Sequence, residues 1–308
     1  MIETQGLSKC YGRFPALRDL SLEVRKGEVY GLLGPNGSGK TTAIRLLLGL
    51  LRPSAGSAKV GGFDCWSQSL EVRRRVSFLP GEIRLPGDLS GYQLLKFLSG
   101  LRSGVGLDRA VSIAERVMKL DLRRKIRNFS TGMKQKLALA QAFADPVEIL
   151  ILDEPTSALD PSVRGDILGL VAAARTQGQT VVFSGHVLSE VEQVADRVAI
   201  LRKGRLMHVE DMHARRNLRM LQIRFEGEPP AEAPDELLLS VRDKLGPDVW
   251  LLEHRGELAP LLAWLATQRI NDIAIGTEDL RSLYDRYHGP DVKDTVDLPG
   301  PLAGAAAP

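Results

Sequence analysis

Residues 34–42 read Gly-Pro-Asn-Gly-Ser-Gly-Lys-Thr-Thr, directly after the apolar run Val29-Tyr30-Gly31-Leu32-Leu33 and directly before the apolar stretch that runs to Leu51. A buried strand, a glycine loop and a helix in that order leave a chain few options. The glycines let successive backbone N–H groups turn inward onto phosphate oxygens, and the following helix adds its positive N-terminal end. Gly34, Pro35, Asn36, Gly37, Ser38, Gly39, Lys40, Thr41 and Thr42 are therefore the candidate nucleotide-binding residues. In such a loop the lysine, Lys40, reaches the β- and γ-phosphates, and the first hydroxyl, Thr41, ligates Mg²⁺. The loop by itself specifies a nucleoside-triphosphate site and no particular use of it.

A second run, Ile149-Leu150-Ile151-Leu152-Asp153-Glu154, supplies the charge such a site needs. An apolar strand that ends in two carboxylates delivers them beside the loop. Asp153 is the candidate metal ligand, directly or through water, and Glu154 the candidate base for the attacking water. Period-two alternation puts Glu154 on the opposite side of the pleat from Asp153. Another apolar run, Thr180-Val181-Val182-Phe183, and a helical stretch from Pro161 to Arg175 complete a parallel α/β core. Short alternating runs before Val29 indicate an antiparallel sheet, and the spacing of Leu94, Leu95, Leu98, Val111, Ala114, Val117 and Met118 indicates a helical insert.

The chain has 308 residues, 44% of them hydrophobic, enough for one large domain and one smaller one. No apolar run approaches the roughly 18 residues that span a bilayer, and MIETQGLSKC lacks the layout of a secretory signal, so a cytoplasmic location is expected. Cys10 and Cys65 show no ligand spacing and are read as spectators, as are His208, His213, His254 and His288. A net charge of +3, with both signs mixed along the chain, predicts no nucleic-acid partner. The Pro-rich run Gly227–Glu236 reads as a linker ahead of a strand-and-helix region, and DLPGPLAGAAAP as a disordered tail.

DEPTSALD (Asp153–Asp160), GPNGSGKTT and FSTGMKQKL (Phe129–Leu137) together resemble an ABC-transporter ATPase, over roughly residues 1–215 and in that family's order of motifs. The resemblance implies a mixed-sheet P-loop NTPase core with an antiparallel β subdomain and a helical subdomain at about 90–145. A small C-terminal α+β domain at 216–289 and a tail at 290–308 follow. Tyr11 resembles the aromatic that stacks on adenine, and Ser130-Thr131-Gly132-Met133 the signature that contacts the γ-phosphate of ATP on the opposite subunit. Asp160 resembles the residue of the turn that crosses between subunits, and His186 the switch histidine near the γ-phosphate. Ser130 is also positioned to cap a helix beginning near Met133.

Two positions depart from the family pattern. Where a glutamine usually follows a strand as Mg²⁺ contact and link to the membrane partner, the chain has Gly81, so either Glu82 substitutes or water completes the metal shell. Thr131 stands where the signature normally has glycine, and its branched side chain restricts the backbone that approaches phosphate. Slower hydrolysis is expected; unchanged turnover in both Gly81→Gln and Thr131→Gly would contradict it.

With one loop and one signature per chain, the resemblance implies a homodimer with two ATP molecules at its interface. That dimer would act peripherally on the plasma membrane's cytoplasmic face and drive export through a separate transmembrane permease. Residues 81–90 and the helical insert are the expected docking surface, with Arg73-Arg74-Arg75 read as a solvated helix face or a contact to partner or lipid. The alternatives are a soluble ABC ATPase without a permease and a weakly hydrolysing nucleotide-binding regulator.

Overall fold

The structure is a computed structural model that describes residues 1–101, 104–157, 159–216, 218–227, 230, 235–276 and 280–288. The expected tail at 290–308 lies outside the described residues. Through the first half of the chain the elements are β1 (Ile2–Tyr11), β2 (Phe14–Val24), β3 (Val29–Leu33), α1 (Lys40–Leu47), β4 (Ala55–Val60), β5 (Phe63–Asp64), α2 (Ser69–Arg75) and β6 (Val76–Leu79). Helices follow, α3 (Gly91–Gly100), α4 (Leu107–Ser112) and α5 (Thr131–Ala144). The alternating core then runs β7 (Ile149–Asp153), α6 (Pro161–Thr176), β8 (Thr180–Gly185), α7 (Leu188–Val194), β9 (Arg197–Arg202), β10 (Arg205–Asp211) and α8 (Met212–Arg216).

Two sheets come from these strands. One is antiparallel, in the order β2-β1-β4-β5, and the other has six strands in the order β10-β9-β3-β8-β7-β6. In the second, β9, β3, β8, β7 and β6 run parallel and only β10 is antiparallel. The pleat divides each parallel strand between two cores. Tyr30, Leu32, Ile149, Ile151, Val182, Ala199 and Leu201 face α1 and the antiparallel sheet. Their neighbours Val29, Leu33, Leu150, Leu152, Val181, Phe183, Val198 and Ile200 face α5, α6, α7 and the helical insert. Burial on both faces explains the uninterrupted apolar runs, and each buried aliphatic side chain contributes roughly 1.5–3 kcal/mol.

The remaining elements are β11 (Arg219–Phe225), β12 (Leu239–Lys244), β13 (Val249–His254), α9 (Leu258–Leu265), β14 (Ile270–Gly276) and α10 (Leu280–His288). The four strands form an antiparallel sheet, β12-β13-β11-β14, with its own core of Leu221, Ile223, Phe225, Trp250, Leu252, Leu261 and Leu265. β11 precedes the run Gly227–Glu236 and pairs with β13 and β14. That run therefore connects strands of one sheet rather than leading into a separate region; residues 228, 229 and 231–234 of it lie outside the described residues. The last helix leaves this sheet. Leu280 of α10 is fully buried in the nucleotide-binding body, Tyr284 and Tyr287 pack against the same core, and Tyr287 stacks on His208 at 5.6 Å.

Candidate functional site

Parallel pairing brings the carboxyl ends of β3, β8, β7 and β6 to one edge, where ligands of open α/β sheets bind. Leu33 pairs with Gly185, Ser184 with Asp153, and Leu79 with Leu152, so residues 34–42, 184–186, 153–154 and 80–81 emerge together. The glycine loop is tightly built. A β-carbon at Gly34 would fall 2.4 Å from the Leu201 carbonyl oxygen and 2.5 Å from Ser38 Oγ. Gly39 has φ +105°, and a side chain there would meet the Ala16 carbonyl at 2.9 Å. Gly204, in the β9–β10 turn, braces the loop from behind by donating its N–H to Ser38 O (3.0 Å) while its carbonyl accepts from Arg18 N (2.7 Å).

The loop leads into α1, whose first turn contains no acidic residue and whose cap, Gly39, offers no side-chain acceptor. The helix amides and dipole are left to attract an anion. Ser38 Oγ is buried without a hydrogen-bond partner, and Lys40 is buried with its ammonium donating to the carbonyls of Gly34 (2.7 Å) and Pro35 (3.3 Å). An orphaned hydroxyl, a buried cation and an uncapped helix start fit a phosphate chain. Pro35, Asn36 and Gly37 form the exposed crest of the loop, Thr41 is exposed and Thr42 half-buried.

At the end of β7, Asp153 is buried and its Oδ1 accepts a 2.6 Å hydrogen bond from Ser184 Oγ. Ser184 Oγ in turn accepts from Glu154 N at 3.0 Å. Glu154 does not continue the pleat, contrary to the alternation expected from sequence: the strand ends at Asp153, and Glu154 takes a left-handed conformation, φ +50°. Such a backbone costs about 1–2 kcal/mol in a non-glycine residue and is held here by Ser184 and by the Ser157 hydroxyl, which donates to Glu154 O at 2.8 Å. The turn brings the Glu154 carboxylate 3.5 Å from Lys40 Nζ and 3.8 Å from His186 Nδ1.

Gly81 lies against Asp153: a β-carbon there would be 3.4 Å from Asp153 Oδ2. Glu82 faces away, exposed, with its carboxylate 2.7 Å from Arg84 Nη2, whose hydrogen bond holds it below the usual carboxylate range. Ser130 caps α5, its Oγ accepting from Met133 N at 3.2 Å, so the helix begins at Thr131 rather than near Met133. Thr131 is exposed and has no positive φ, so its branching imposes no backbone strain. Gly132 and Met133 are half-buried. Gln135, one turn on, donates to Pro155 O (3.1 Å) and ties this helix to the carboxylate segment. Asp160 is the exposed cap residue of α6, and Tyr11 is exposed at the β1–β2 turn with Lys9 Nζ 5.5 Å from its ring centre.

The lysine loop and strand-end Asp–Glu pair are thus joined through Lys40–Glu154. Ser184, Gly204 and Gln135 were not singled out from sequence; the one legible signal was a serine inside the apolar strand Thr180–Gly185.

Loop, helix and carboxylates at the edge of a six-stranded, largely parallel sheet define a P-loop nucleoside triphosphatase. Residues 17–157 match the family model described as ABC transporter. The chain is 33% identical over 213 residues to the linearmycin resistance ATP-binding protein LnrL of Bacillus subtilis (strain 168), covering 68% of each chain. It is 32% identical over 295 residues to the uncharacterized ABC transporter ATP-binding protein YhcH of the same organism, covering 93% of this chain and 94% of that protein. In fold it is similar to a dimeric post-hydrolysis ATP-binding cassette, MJ0796, bound to ADP and Pi, with a TM-score of 0.62 and 23% identity over 69% of this chain and 99% of the other. The chain belongs to the ABC-transporter family as an ATP-binding, ATP-hydrolysing protein.

Proposed function

We propose that this chain is the ATPase subunit of an exporter: two copies close around two ATP molecules, and the closing and reopening move a separate permease. The carrying observation is the Lys40–Glu154–His186 contact, which joins the phosphate loop, the strand-end base and the switch position in one cluster. ATP would draw the Lys40 ammonium to its β- and γ-phosphates and fill the pocket at Ser38. Glu154 would then accept the proton of the attacking water, with His186 holding the γ-phosphate side. Thr41 and Asp153 offer hard oxygen donors that would hold Mg²⁺, and the ion would supply charge that neutralises the phosphates. With Gly81 bearing no side chain and Glu82 engaged by Arg84, water is the favoured remaining ligand.

The second copy would complete each site with Ser130, Thr131, Gly132 and Met133, the first two exposed and the last two half-buried, at the start of a 14-residue helix whose dipole favours an anion. Asp160 would cross between copies, and Tyr11 would stack on adenine. For the permease, the observation in favour is an apolar cleft of about 420 Å³ bordered by Phe78, Pro80, Ile83, Leu94, Leu98 and Leu101. Pro80, on its border, adjoins Gly81 in the chain, so an inserted helix would press on the segment that faces Asp153. Among the described residues no helix is long and apolar enough to cross a membrane, which fits a peripheral subunit recruited by that helix. Export, rather than uptake, is favoured by the similarity to a linearmycin resistance protein.

The test is ATP-dependent dimerisation of Glu154→Gln by light scattering, with wild-type hydrolysis alongside. A stable ATP-bound dimer of the variant and turnover by the wild type are expected. A variant that stays monomeric with saturating ATP while the wild type turns over would exclude the composite site.

A further inference from the structure

Glu190 has no part in the chemistry above, yet it is a buried carboxylate beside it with both oxygens engaged. It sits in the first turn of α7, four residues after His186, with a side-chain exposure of 7%. Thr156 Oγ1 donates to its Oε2 at 2.6 Å, and Arg164 Nη1 lies 3.2 Å from its Oε1. Thr156 is itself buried, two residues beyond Glu154. Arg164 sits in the first turn of α6, and its Nε donates to Leu159 O at 3.2 Å, immediately before Asp160. One carboxylate therefore fastens three pieces: the turn carrying Glu154, the Leu159–Asp160 segment, and the helix that descends from His186.

A buried carboxylate is costly unless its lone pairs are filled, and charge-assisted bonds in a low-dielectric setting are stiff and directional. Sliding α7 against the Glu154 turn would break the short Thr156 bond and leave Glu190 Oε2 without that partner, with only the Arg164 contact on Oε1 to offset its burial. The spacing between Glu154 and His186 is thus set from the far side of both residues.

We propose that Glu190 is a positioning residue for hydrolysis: through Thr156 and Arg164 it holds Glu154 and His186 at working distance and passes any displacement of the Asp160 segment to both. This rests on Glu154 and His186 being the hydrolytic pair, as proposed above. Steady-state hydrolysis by the full chain tests it, with Glu190→Gln, Thr156→Val, their double variant and Thr156→Ser. Each of the first two is expected to lower kcat about tenfold while KM for ATP stays within about twofold, and the double variant to fall no further than the worse single, since groups acting through one contact are not additive. Thr156→Ser, which keeps the hydroxyl, should regain most of the rate. A lower Tm with unchanged kcat, a raised KM alone, or additive losses would overturn the proposal and leave Glu190 a packing residue. If Glu190→Gln does not fold, the Thr156 valine–serine contrast decides alone. Wild-type turnover in Glu154→Gln would instead discredit the hydrolytic pair itself.

Discussion

Ser184 joins both strand-end carboxylate residues through one hydroxyl, donating to Asp153 and accepting from the Glu154 amide. Removing it leaves a buried carboxylate oxygen and a backbone N–H short of partners, a cost of about 1–3 kcal/mol. Ser184→Ala is therefore expected to lower the urea midpoint and to slow hydrolysis, while ATP affinity, set mainly by the loop and Lys40, changes little; a fluorescent nucleotide titration beside a turnover assay separates the two. Residues with a fixed chemical vocabulary were legible in the sequence: the glycines, Lys40, Asp153 and Glu154 could be picked out there, and the parallel pairing gathers them at one sheet edge. What stayed hidden is the conformation of single residues. No pattern announces that Glu154 turns left-handed, because that φ is imposed by Ser184 and Ser157, partners supplied by a neighbouring strand and the next turn. Nor does Gly81 reveal from sequence that it abuts Asp153, a contact made by the register of β6 on β7.

At the scale of elements, the buried strands were readable because burial on both faces leaves their runs almost wholly apolar, with Ser77, Asp153, Thr180 and Ser184 as exceptions, whereas the cap that starts α3 was not singled out. α3 begins with a full capping box, Ser90 Oγ accepting from Gln93 N at 3.2 Å and Gln93 Oε1 accepting from Ser90 N at 2.8 Å. Ser90→Ala should cost about 1 kcal/mol of stability, seen as a lower urea midpoint with an unchanged m-value. α3 also walls the apolar cleft, so the same change should weaken any helix bound there more than it weakens ATP binding. The Pro-rich run Gly227–Glu236 misled for a physical reason: proline and acidic residues mark a segment that avoids regular structure, and that is as true of a connection inside a sheet as of one between domains.

The whole molecule carries two stability regimes, because the sheet of β11–β14 has a core of its own. Within it, burial by itself would raise Glu253, but hydrogen bonds from Arg242 and Arg255, both 2.6 Å, reverse the balance and hold it below its ordinary 4.5. Burial, helped by the charge of Arg219, holds the adjacent His254 below its ordinary 6.5. A lowered carboxylate contributes stability that is present above its unfolded pKa and lost as pH falls through the folded one. A histidine kept neutral works the same way here, since the unfolded chain takes up a proton near 6.5 before the folded chain does. Both slopes point one way, so this sheet should lose stability as pH drops from neutral through the carboxylate range. Urea unfolding followed by tryptophan emission at about pH 7.5, about pH 5.5 and about pH 4 checks it, since Trp250 and Trp264 lie in or against this core; the first step reads His254 and the second Glu253, and a midpoint unchanged across either would contradict that residue's assignment.

The return of α10 to the nucleotide-binding body changes what kind of appendage the C-terminal sheet is. Leu280 is fully buried there and its backbone N–H donates to Glu192 of α7. The sheet is therefore strung between two attachments, and α10 behaves as an intramolecular ligand whose local concentration is set by the intervening chain. While the sheet is folded the tether is short and docking is favoured; when the sheet unfolds the tether lengthens, the local concentration falls, and the helix dissociates more readily from its seat on α7.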